Sequence, residues 1–216
     1  TSIGAAIQIA QGAQSPKLKE LSLKAAGTVA VDDNGSTDLE LRDSLVLLNT
    51  TTDANALHFN AATRARLFST TIRVNISGTA FVNALRGILF EGNGHSLELQ
   101  DCQLVVDDEH ESSVNSEGIK MSPNPGANFA DLSTFILEDS HVTVLSDKTG
   151  TNVTALTLVS GATSRIQRSE ISAQSKGAGN PVTGLLIETG ADDVKIRSSR
   201  LVATSSGTKT PIKTTN

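Results

Sequence analysis

The chain has 216 residues, a formal net charge of −5 and an apolar share of 38%, with 3% aromatic residues and neither Trp nor Tyr. A chain of this length buries a sizeable core, and here that core must be built from Leu, Ile, Val and Ala. The acidic balance excludes the basic stripe that phosphate contacts need, no apolar run approaches the roughly 18–20 residues of a membrane-spanning helix, and the single Cys102 permits neither an internal disulfide nor a Cys-based zinc site.

Residues 1–26 depart from the pattern that follows and are expected to hold an irregular cap or first coil, with Ala6-Ile7-Gln8-Ile9 a weak fragment of that pattern. Thr28-Val29-Ala30-Val31 reads as its first clear phrase: small, apolar, any, apolar. A second phrase starts at Leu41, with Ser44, Val46 and Leu48 at offsets of three, five and seven residues. It returns from Leu67 (Thr70, Ile72, Val74), Leu99 (Cys102, Leu104, Val106), Leu137 (Ser140, Val142, Val144), Ile166 (Ser169, Ile171, Ala173) and Ile196 (Ser199, Leu201, Ala203). Between these copies the first phrase recurs as Ala56-Leu57-His58-Phe59, Gly87-Ile88-Leu89-Phe90, Gly118-Ile119-Lys120-Met121, Ala155-Leu156-Thr157-Leu158 and Gly184-Leu185-Leu186-Ile187, with a degenerate copy at Pro211-Ile212. Successive anchors lie 26, 32, 38, 29 and 30 residues apart.

Period-two alternation is the strand signal, and each repeat contains three short stretches of it. A propeller blade needs four strands and about 40–50 residues. The pattern therefore predicts an all-β, single-domain parallel β-solenoid of about seven coils, three short strands per coil, over residues 27–216. Strands of successive coils should pair at about 4.8 Å. Ser44, Thr70, Cys102, Ser140, Ser169 and Ser199 then stack at a tight corner with room for little more than one side-chain atom. Cys102 stands there in place of a serine and reads as a buried, inert thiol. Phe59, Phe90 and Phe135 fall on inward positions.

This repeat pattern resembles the right-handed parallel β-helix, or pectin-lyase-like, family over roughly residues 20–214. The resemblance implies right-handed coiling, three sheets and a capped N-terminal end. It also implies a role like that of the family's polysaccharide lyases and hydrolases, phage tailspikes or autotransporter adhesin passengers. The closing SSGTKTPIKTTN completes a coil edge without a covering helix, which suggests a piece of a longer solenoid or an end covered by a partner chain.

Long loops gather function on solenoids. The loop at 107–118 groups Asp107, Asp108, Glu109, His110 and Glu111, carboxylates that could bind Ca²⁺ through oxygen or act in glycosidic cleavage; without the DxDxDG spacing it reads first as a solvated acidic loop. Arg168, Arg197 and Arg200 come from adjacent coils and form a modest basic area, with Glu170 as an ion-pair partner. Arg64, Arg66, Arg73 and Arg86 are a scatter on an earlier coil. His58, His95, His110 and His141 share no metal-ligand spacing, and the sequons at Asn49, Asn75 and Asn152 bear on function only in a secreted chain. The favoured expectation is an extracellular, non-enzymatic solenoid: an adhesin passenger or scaffold that binds a cell-surface glycan or protein, or itself, without a required cofactor. The alternative is a lyase, hydrolase or tailspike-like fragment acting on acidic polysaccharide through residues 107–111.

Overall fold

The computed structural model describes residues 5–60, 64–76, 82–91, 96–108, 113–122, 133–158, 162–188 and 193–215. Strand β1 (Ile7–Ile9) precedes a first turn of β2 (Lys17–Lys19), β3 (Ser22–Ala26) and β4 (Val29–Asp33). The next turns are β5 (Leu39–Arg42), β6 (Leu45–Thr50) and β7 (Ala54–Asn60), then β8 (Arg64–Phe68), β9 (Thr71–Ile76) and β10 (Val82–Glu91). They are followed by β11 (Ser96–Gln100), β12 (Gln103–Asp108) and β13 (Ser113–Ser122), and by β14 (Ser133–Glu138), β15 (His141–Ser146) and β16 (Asn152–Leu158). The last are β17 (Ala162–Gln167), β18 (Glu170–Ser175) and β19 (Val182–Ile187), then β20 (Val194–Arg197), β21 (Arg200–Thr204) and β22 (Lys209–Thr214). Every third strand pairs in parallel, giving sheet A (β1, β4, β7 to β22), sheet B (β2, β5 to β20) and sheet C (β3, β6 to β21).

The chain is thus an all-β parallel solenoid with three sheets. About five turns, β5–β7 to β17–β19, have neighbours on both sides in all three sheets. The expected count of about seven coils is corrected to about five, because the turns β2–β4 and β20–β22 lie at the ends and miss neighbours. Burial falls accordingly: β22 is exposed at five of its six positions. The region expected as a cap or first coil carries β1, β2 and β3, each paired to the next turn. Among the described residues no helix is long and apolar enough to cross a membrane.

The anchors form one unbroken inner row of sheet B: Leu41, Leu67, Leu99, Leu137, Ile166 and Ile196. Leu18 extends it, a copy the template hides because Leu21 occupies the small position. The offsets of five and seven give two of the inner rows of sheet C. In sheet A the inner row is Val31, Leu57, Ile88, Ile119, Leu156, Leu185 and Ile212. Here the reading of Thr28–Val31 is corrected: Val31, not Val29, pairs with Leu57, so Ala30-Val31-Asp32-Asp33 is the true copy. A period of two makes a two-residue slip invisible to the pattern. Asp33 fills the apolar place and is fully buried, with Oδ1 accepting from the Ser36 and Gly35 amides at 2.9 and 3.2 Å. Phe59 and Phe90 meet inside with ring centroids 5.6 Å apart, and Phe135 is also buried. Three sheet A phrases have glycine where there is no room for a Cβ: on Gly87 it would lie 2.7 Å from the Gly118 carbonyl oxygen and from Leu104 Cδ2, and on Gly184 2.7 Å from the Pro211 carbonyl oxygen.

The corner between sheets B and C is a hydrogen-bonded device. The residue before each small position has positive φ: Glu20 (52°), Asp43 (50°), Ser69 (45°), Asp101 (54°), Asp139 (49°), Arg168 (48°) and Ser198 (49°). This left-handed kink turns the chain sharply, and Asp tolerates it better than most residues. The kink leaves the next amide pointing into the corner. Cys102 N–H donates to Ser140 Oγ (2.9 Å), Ser140 N–H to Ser169 Oγ (3.1 Å) and Ser169 N–H to Ser199 Oγ (3.2 Å). Each of these hydroxyls donates to the carbonyl two residues earlier, at 2.7–2.8 Å. Small size is therefore half the requirement, and a hydroxyl that both donates and accepts is the other half.

Ser140→Ala should cost about 1–3 kcal/mol in urea unfolding, because the buried Cys102 amide loses its acceptor, whereas Cys102→Ser should leave stability unchanged or raise it. An alanine that unfolds within about 0.5 kcal/mol of the parent would show that the corner needs only a small side chain.

Candidate functional site

The acidic group expected at 107–111 is not one cluster on the described backbone. Asp107 and Asp108 both lie in β12 and point to opposite faces. Asp107 is on the outside, 3.4 Å from Arg73, while Asp108 is fully buried and accepts hydrogen bonds from Ser116 Oγ and Ser146 Oγ. Asp108 belongs to an inner row of Thr50, Ile76, Ser146 and Ser175 at the corner between sheets C and A. Glu109, His110 and Glu111 lie outside the described residues. Among the described residues no group of three or more His, Cys, Asp or Glu side chains is arranged to hold a metal ion.

Cys102 is buried as expected. Burial pushes its thiol up to about 11, and its hydrogen bonding to the backbone of Thr70 and Gln100 offsets part of the effect.

The outer face of sheet B carries an ordered charge pattern. One row runs Lys17, Glu40, Arg66, Glu98, Ile136, Arg165, Lys195. Its signs alternate over the first four rungs, and the pairs are made. Arg42 lies 3.3 Å from Glu40, Arg66 lies 2.7 Å from Asp38 and 3.6 Å from Glu40, and Arg64 lies 3.5 Å from Glu98. Burial pushes the Glu40 carboxyl up, but the Arg42 hydrogen bond and the charges of Arg42, Arg66 and Lys17 outweigh it and hold the group below its ordinary value. The adjacent row runs Lys19, Arg42, Phe68, Gln100, Glu138, Gln167, Arg197, with the Arg42 guanidinium 4.4 Å from the Phe68 ring centre.

Alternation stops at Ile136. Beyond it Arg165 stands directly opposite Lys195, a like-charge pair on neighbouring strands. Arg165 reaches Glu138 only at 3.7 Å, Lys195 turns back to Asp193 at 2.6 Å, and Arg197 has no acidic partner among the described residues. These three cations, with Thr134, Thr163 and Ile136, line a groove of about 390 Å³.

The basic area expected from Arg168, Arg197 and Arg200 is divided by the fold. Arg168 sits on the kink row and is held by both oxygens of Asp139, each at 2.7 Å, and by Glu138 at 2.8 Å. That bond holds the Asp139 carboxyl low and raises the Arg168 guanidinium. Arg200 pairs with Glu170 at 3.4 Å, the partner expected for it. Arg197 alone of the three faces the groove. Arg165 and Lys195 stand just before the anchors Ile166 and Ile196, a column that lies outside the repeated pattern.

Sheet A holds a second arrangement that spacing alone did not reveal. His58 Nδ1 is 2.9 Å from Asp32 Oδ1 and Nε2 is 2.9 Å from Glu91 Oε2, so one imidazole bridges three turns. Both contacts are hydrogen bonds only when both ring nitrogens carry hydrogen.

Comparison of the chain with family models, with curated proteins and with solved structures gives no match.

A carboxyl held low in the fold stabilises it above the unfolded value, about 4.3 for Glu, and that contribution is lost as pH falls through the folded value. Glu40→Gln should therefore lower the urea midpoint at pH 7 and narrow the difference between midpoints at pH 7 and pH 3. An unchanged difference would remove Glu40 from the acid response.

Proposed function

We propose that the chain is a non-enzymatic binding scaffold of the extracellular or cell-surface type, akin to the right-handed pectin-lyase-like β-helices that serve as adhesin passengers. The observation that carries this reading is the construction of the outer faces. Side chains there repeat at the rung spacing, and several join across neighbouring strands in polar pairs. Asn75 Nδ2 donates to Asn49 Oδ1 at 3.2 Å, Asn152 Nδ2 donates to Asn115 Oδ1 at 3.1 Å, and Arg86 pairs with Glu117 at 2.5 Å. Thr154, Thr183 and Thr210 align in one outer row of sheet A. Flat, regularly spaced polar faces suit a repetitive partner, either a glycan chain or another solenoid, and multiply weak contacts into useful avidity. The lyase or hydrolase alternative draws on a joint site at 107–111, and the opposite orientations of Asp107 and Asp108 speak against it.

Incubation with neutral and acidic polysaccharides should give retention of polymer with no rise in the ultraviolet absorbance of unsaturated uronate, whether calcium or chelator is present. Product formation that Asp107→Ala abolishes would replace the scaffold reading with an enzymatic one.

A further inference from the structure

We infer that Asp32, His58 and Glu91 form a pH-sensitive clasp that holds the first turn, β2–β4, onto the two turns that follow it. The clasp is independent of whatever the outer faces bind. Its three side chains come from β4, β7 and β10, successive strands of sheet A. The imidazole lies between the carboxylates, with Nδ1 2.9 Å from Asp32 Oδ1 and Nε2 2.9 Å from Glu91 Oε2. An ionised carboxylate only accepts, so two hydrogen bonds need an N–H on both ring nitrogens, and only the imidazolium has both. Loss of its proton breaks one bond and turns a nitrogen lone pair toward a carboxylate.

The surroundings leave His58 as the cation of this group. Beyond Asp32 in the same row stands Gln8 of β1, and Asp32 Oδ2 accepts from Asn34 Nδ2 at 3.1 Å. Asp33 of β4 is buried and accepts from the Ser36 amide. The outer neighbours of His58 on β7, Asn55 and Asn60, carry no charge. On β10, Leu89 stands directly opposite His58, and Arg86 is committed to Glu117 at 2.5 Å. Lys120 of β13, one rung beyond Leu89, lies 3.6 Å from the same Glu117. Among the described residues neither Asp32 nor Glu91 has a Lys or Arg partner.

The clasp carries weight here because little else binds the first turn. Strands β2 and β3 end their sheets, and Leu18, Leu21 and Leu23 are only partly buried against the core. In sheet A, Asp33 stands in the row where the next two turns place Phe59 and Phe90. End elements with few buried apolar contacts open at low free energy, and opening this turn bares the backbone edges of β5, β6 and β7. Histidine is the side chain whose charge changes between about pH 5 and pH 8. The clasp is complete below about 6.5, the ordinary imidazole value. Its contribution is lost as pH rises through the point at which His58 gives up its proton. The first turn is thus held in mildly acidic surroundings and loosened in alkaline ones.

Hydrogen exchange of the full chain reads the clasp at the amides of Glu40, Leu45 and Asn55. These donate to the carbonyls of Pro16, Leu21 and Thr28 in the first turn, at 2.9, 2.7 and 2.9 Å. Exchange is followed at about pH 5.5 and about pH 8.5, on either side of the ordinary imidazole value, and corrected for the intrinsic pH dependence of amide exchange. Protection of the three amides should fall ~5–10-fold at the higher pH, the size expected of one charge-assisted hydrogen bond at a partly exposed site. The amides of His141 and Glu170, which join later turns, should keep theirs. His58→Gln should abolish the difference, and Asp32→Asn and Glu91→Gln should each reduce it. Nitrogen NMR of the unaltered chain should show hydrogen on both His58 ring nitrogens at the lower pH. Equal protection at the two pH values, a difference that survives in His58→Gln, or a bare ring nitrogen at the lower pH would overturn the clasp. The ring spectrum and the two carboxyl variants decide the matter even where His58→Gln does not fold.

Discussion

The structure depends on how the corner between sheets B and C disposes of one backbone amide per turn. A left-handed residue swings the chain from one sheet to the next in a single step, and the amide that follows points inward where water does not reach. A buried amide without a partner costs about as much as several ordinary hydrogen bonds contribute. From Cys102 to Ser199, and again at Leu21, the hydroxyl of the following turn accepts that amide's hydrogen and passes its own to a carbonyl two residues back, so these turns complete the ones before them. The solenoid is therefore joined twice over, by strand pairing on its three faces and by a chain of hydroxyls at one edge.

Because that edge fixes each turn's rotation, side chains at equal offsets face the same way along the rod. The interior becomes rows of Leu, Ile and Val, and the exterior becomes rows that must be compatible with a neighbour at about 4.8 Å above and below. Some neighbours meet through opposite charges or amide-to-amide hydrogen bonds, as Arg86 and Glu117 or Asn49 and Asn75 do. Arg165 and Lys195 instead stand opposite one another with like charge, and each turns to a carboxylate elsewhere.

The sequence made the architecture legible because solenoid rows are written as fixed offsets. The anchors from Leu41 to Ile196 pair as their spacing requires, and Leu57, Ile88, Ile119, Leu156 and Leu185 do the same in sheet A. What failed was what a period of two does not encode. Val29 and Val31 have the same parity, so the pattern could not choose between them. Asp107 and Asp108 are adjacent in sequence, which suggested one acidic site, yet adjacency on a strand means opposite faces. The His58 bridge joins residues 26 and 33 positions away in sequence, a relation that exists only once the turns are stacked. The left-handed kink residues escaped notice because their side chains vary; what they share is a backbone angle.

Hydrogen exchange at the corner amides tests the central claim most directly. If the hydroxyl ladder completes the corner, the amides of Cys102, Ser140 and Ser169 should be protected to the same degree as paired amides in the middle of β11, β14 and β17. Exchange at the rate of exposed turn amides would contradict the account, for it would mean that strand pairing alone holds the turns together.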